Sequence, residues 1–83
     1  MKDYFIDSHF KKFSSIDHEY PIYELVDGDD ILFDISANDD GIIDVAFNSP
    51  ACSRLFTYDQ LIVLLEKGKN LLEEEINNKG RLR

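Results

Sequence analysis

The chain has 83 residues, with 17 Asp and Glu against nine Lys and Arg, and a net charge of −8. That length is enough for a single domain spanning residues 1–83 with a thin core, and too short for two. A single cysteine excludes an internal disulfide, no apolar run approaches the ~20 residues of a membrane-spanning helix, and the negative charge disfavours nucleic acid and anionic membrane as partners.

From the N-terminus, residues 1–15 carry Phe5, Ile6, His9, Phe10 and Phe13, with Ile16 just beyond. Spacings of three and four dominate, which predicts a short amphipathic helix, with an extended arm as the alternative. Residues 1–12 contain no apolar stretch of signal-peptide length, so the expected compartment is the cytoplasm.

Three strands follow. Pro21 marks the entry to the first, Ile22–Val26. Asp27-Gly28-Asp29-Asp30 reads as a turn, Leu32–Ser36 as the second strand, Asn38-Asp39-Asp40-Gly41 as another turn, and Ile42–Asn48 as the third strand. Short glycine-containing turns imply antiparallel hairpins. Alternation directs Tyr23, Leu25, Phe33, Ile35, Ile43, Val45 and Phe47 to one face. Five-residue loops at both ends would then pair Glu24 with Asp34 and Asp34 with Asp44, a row of three acids across the other face. Ile22, Val26, Leu32 and Ile42 would share that outer face.

Residues 49–56 read as a loop around Pro50. The clearest element is a helix from Tyr58 to about Asn78. Thr57 is its N-cap, with Gln60 three residues on and Asp59 in the first turn. Leu61, Leu64, Leu65, Gly68, Leu71, Leu72 and Glu75 or Ile76 trace its buried face. Residues 79–83 are expected to form a mobile basic tail. The expected fold is therefore α+β: a three-stranded antiparallel meander packed under a long C-terminal helix, with a short N-terminal helix.

The charge is unevenly spread. Ten acids and no base lie between Asp17 and Asp44, whereas the last 33 residues hold six bases and five acids. Like charges facing each other across strands are destabilising, and a cationic partner would relieve that. The candidate partner-binding residues are Glu24, Asp27, Asp29, Asp30, Asp34, Asp39, Asp40 and Asp44, with Tyr20 as a stiff amphipathic neighbour. The bland alternative is a solvated face with turn aspartates capping their own backbone.

Catalytic and metal motifs do not assemble. Ser36-Ala37-Asn38-Asp39-Asp40-Gly41 imitates the start of a calcium loop, but the first ligand position is Ser, the twelfth is Phe47, and the flanks read as strands. His9, His18 and Cys52 share no metal-ligand spacing, and the four glycines are too scattered for a phosphate loop. No catalytic residue, metal or cofactor is expected, and an enzyme is not the favoured reading.

The run Asp29-Asp30-Ile31-Leu32-Phe33-Asp34-Ile35-Ser36, continuing through Val45-Ala46-Phe47-Asn48 to a long helix in a small acidic chain, resembles the immunity proteins of bacterial toxin–immunity systems of the contact-dependent inhibition type. The resemblance implies a non-catalytic inhibitor of a basic protein partner, with a nuclease toxin as the candidate. A phage-type DNA mimic and a small homo-oligomeric interaction module are the alternatives, and the oligomeric state stays open.

Overall fold

The computed structural model describes residues 8–81, apart from the side chains of Ser53 and of residues 79–81. Four strands form one antiparallel sheet in chain order: β1 (His9–Phe13), β2 (Ile22–Asp27), β3 (Asp30–Ala37) and β4 (Ile43–Phe47). A short 3-10 helix, Ser49–Ser53, leads to the long helix α1, Tyr58–Arg81.

The α+β class, the antiparallel meander and the covering helix match the reading of the sequence. The N-terminal helix does not. His9–Phe13 is a strand paired with β2, and Phe5 and Ile6, part of the expected helix, lie outside the described residues. Over five residues, two phenylalanines three apart suit a helix, but here the alternation of a strand sorts the segment. Phe10 meets Phe33 edge-to-face at 6.1 Å between ring centres, while Phe13 is exposed. Lys12 also faces the helix side, which is unusual for a lysine, and its ammonium reaches Glu75 of α1 at 2.9 Å.

The β2–β3 hairpin pairs Glu24 with Asp34 as expected, but by a different route. Its turn has only two central residues, Gly28 and Asp29. Positive φ occurs at Gly28 alone (63°), the pattern of a type II′ turn. A bulge between Leu25 and Val26 in the ladder then absorbs one residue of β3. Leu25 faces Phe33 and Val26 faces Ile31, leaving Leu32 as the extra residue. Leu32 and Phe33 are consecutive and both fully buried, which strict alternation would forbid. The expectation of an outward Leu32 is thus overturned by the bulge, with the 3-10 helix lying against β3.

The β3–β4 turn is built by Asn38. Its Oδ1 accepts from the amides of Asp40 and Ile42, and its carbonyl accepts from the Gly41 amide at 2.9 Å. Gly41 has φ 82°, a conformation that glycine adopts without steric cost. This turn pairs Ala37 with Ile43 and Asp34 with Ala46.

Leu25, Leu32, Phe33, Ile35 and Leu72 are fully buried, with Tyr23 and Ala51 nearly so. Each large side chain contributes about 1.5–3 kcal/mol by leaving water. The Thr57 hydroxyl caps α1 by accepting the Gln60 amide at 3.1 Å. The helix continues to Arg81, past the expected end at Asn78. Its 24 residues span about 36 Å, longer than any strand beneath it.

Candidate functional site

Consecutive antiparallel hairpins place their turns at opposite ends of a sheet, so the acids clustered in sequence are divided in space. Asp27, Asp29 and Asp30 belong to the β2–β3 end, and Asp39 and Asp40 to the β3–β4 end. The eight residues of β3 separate the two ends by roughly 25 Å.

At the β2–β3 end the charge is partly neutralised. The Arg54 guanidinium bonds the carboxylates of both Asp27 and Asp30, the latter at 2.6 Å. These bonds, to Asp30 first and then Asp27, make the guanidinium hold its proton more tightly than an ordinary arginine. Reading the run of acids between Asp17 and Asp44 misses this clasp because its cation lies 24 residues beyond Asp30. Asp29 stays exposed at the tip of the hairpin.

Across the outer face the row of three acids does not form. Lys11 sits opposite Glu24, Glu24 opposite Asp34, and Asp34 opposite Ala46. Asp44 lies opposite Ser36, one step along the sheet, because the Asn38 turn sets the β4 register two residues away from the expected one. The row therefore reads base, acid, acid, alanine. Glu24 and Asp34 are half-buried, and Asp34 Oδ1 is shielded from solvent with no hydrogen bond among the described residues. Of the apolar residues assigned to this face, Ile22 and Val26 are half-buried and Ile42 is exposed. Tyr20 packs half-buried against the core.

The β3–β4 end is different. Asp39, Asp40 and Asp44 are all exposed, and no ion pair engages their carboxylates among the described residues. A shallow groove of about 200 Å³ beside this turn is lined by Gly41, Ile43, Glu73, Ile76 and Asn77. Glu73 of α1 thus brings a fourth carboxylate to the same end. That proximity comes from the docking of α1 on the sheet, so no local signal in the sequence marks it.

A second polar group joins sheet to helix. Glu75 accepts from Lys12 at 2.9 Å and from the Tyr23 hydroxyl at 3.1 Å. The Lys12 hydrogen bond lowers the Glu75 carboxyl below its ordinary range, against the opposing effect of burial. Burial, reinforced by Glu75, raises the Tyr23 phenol. These three groups tie the docked helix to the sheet.

A larger groove of about 320 Å³ runs between β4 and the first half of α1. Ile35, Ile43, Val45, Ile62 and Leu65 line it, with Glu66 and Lys69 at the rim. It is open and apolar. Among the described residues no cluster of three His, Cys, Asp or Glu has metal-binding geometry, and no helix is long and apolar enough to cross a membrane. Cys52 is exposed.

No protein-family model, curated protein or solved structure matches this chain.

Proposed function

We propose that the protein is a non-catalytic, cytoplasmic binding protein that neutralises a basic protein partner, as an immunity protein does for a bacterial toxin such as a nuclease. The supporting observation is the division of charge between the two ends of the sheet. Arg54 partly neutralises one end, while Asp39, Asp40 and Asp44 lie toward the other, where no ion pair engages them among the described residues and Glu73 lines the groove beside the turn. Such an end is oriented to meet a cationic cleft. Long-range attraction speeds the encounter, and complementary charge fixes the approach. Glu24, Asp29 and Asp34 extend the negative field along the sheet but sit nearer to Lys11 or Arg54.

The test is a double charge reversal, Asp39→Lys with Asp44→Lys. Both positions are exposed, so the fold should be retained. With the basic protein captured from the native host, the double variant should bind at least about tenfold more weakly, mainly through slower association. An unchanged association rate and affinity would remove this end of the sheet from the proposal.

A further inference from the structure

β4 is an edge strand, and its outer side carries no neighbour among the described residues. Edge strands are commonly guarded by charged side chains, lysine above all, by proline or by a bulge. At the other edge, β1 carries Lys11 and Lys12, whereas β4 reads Ile-Asp-Val-Ala-Phe, with no lysine, proline or bulge and Asp44 as its one charge. Val45 and Phe47 are 42% and 54% exposed.

The backbone of β4 shows which groups are available. The Asn48 amide donates to the Leu32 carbonyl at 2.9 Å, and the Ile42 carbonyl accepts from the Asn38 amide at 3.0 Å. Hydrogen-bonding direction alternates along a strand, so even-numbered residues here point toward β3. Ile43, Val45 and Phe47 therefore point both N–H and C=O away from the sheet. The same three side chains lie on the helix side, where Ile43 and Val45 line the apolar groove with Ile62.

We propose that this edge pairs with the β4 edge of a second copy of the chain, antiparallel and centred on Val45, joining two four-stranded sheets into one of eight strands. Three features of β4 select this occupant. In that register Val45 meets Val45 of the second copy and Ile43 meets Phe47, so all three outward-facing residues find a hydrogen-bonded partner of the same kind. Asp44 falls opposite Ala46, whereas a shift of two residues toward the Asn38 turn would oppose Asp44 to itself. An antiparallel arrangement also carries the two Asp39–Asp40 turns to far ends of the joined strands, which keeps the most acidic ends of two −8 chains apart. The groove rim carries one charge of each sign, Glu66 and Lys69, and does not add to the repulsion. This inference does not rest on the proposed basic partner, although Asp44 belongs to both surfaces.

Sedimentation of the full chain across a concentration series tests it. The expected mass is twice 9.6 kDa. Because the remaining barrier is net repulsion, raising salt should shift the equilibrium toward the dimer. Val45→Pro removes an N–H that makes no bond to β3, so the variant should keep its circular dichroism spectrum and sediment as a monomer. Val45→Lys, which places a charge in the groove, should do the same and serves if the proline disturbs folding. A wild-type chain that stays at 9.6 kDa up to near-millimolar concentration and high salt overturns the proposal. So does a folded Val45 variant that dimerises as the wild type does.

Discussion

Gly68 sits where α1 crosses the sheet. A Cβ at this position would overlap Ile35 Cδ1 and come within 3.1–3.2 Å of the Phe10 ring. An alanine would raise helix propensity by about 1 kcal/mol, but it would wedge the helix from a core residue that is fully buried. Overpacking of this kind costs about 1–3 kcal/mol. Gly68→Ala should therefore be neutral or destabilising by up to about 2 kcal/mol in urea unfolding, against the gain that an exposed helical glycine would show. Glu75 supplies a second residue-scale prediction. Its carboxyl is lowered in the folded state, so its contribution is present above the unfolded pKa and disappears as pH falls through the folded value. Glu75→Gln should cost at most about 1 kcal/mol at neutral pH, because solvent screens the partly exposed pair with Lys12. In acid, once wild-type Glu75 is protonated, the stability difference between the two proteins should vanish; a constant difference across pH would mean that packing, not charge, holds the contact. Thr57 was legible as a cap because its signal lies within three residues. Lys12 and Arg54 were not, because each finds its acid through the tertiary fold.

At the scale of elements, the helix face was read correctly, but its leucines are not equally buried. Leu72 is fully buried, whereas Leu65 is only half-buried and lines the open groove. Leu72→Ala should cost about 2–4 kcal/mol as a core truncation, and Leu65→Ala clearly less, measured side by side by chemical denaturation. Equal losses would mean that the groove is closed in solution. The strands taught a similar lesson. Pairing of Glu24 with Asp34 was anticipated through a five-residue loop, yet a two-residue turn and a bulge produce it. A bulge leaves no mark in the hydrophobic pattern, so the burial of Leu32 could not be read from alternation. β1 was mistaken for a helix because its strand character comes from its hydrogen bonds to β2, not from its own five residues.

For the whole molecule, the concentration of acid between Asp17 and Asp44 is a property of the chain that the fold redistributes. Hairpin geometry sends part of it to each end of the sheet, Arg54 offsets one end, and Glu73 reinforces the other. The candidate site was therefore legible as acidic turns but not as one end of the molecule, because sequence order does not show which turns lie together. The two proposed surfaces should respond oppositely to ionic strength. Binding of a basic partner should weaken as salt rises, while pairing of two equally charged chains should strengthen.

The strand order also bears on how the molecule assembles. Every strand pairs with its neighbour in the chain, so the sheet needs no distant segment to set its register, and low contact order favours rapid folding. The helix that covers Leu25, Phe33 and Ile35 is the last described element to be made. During synthesis, a hairpin stack can form while its apolar face still lacks the cover that α1 and Leu72 supply, and exposed apolar surface of that kind favours aggregation.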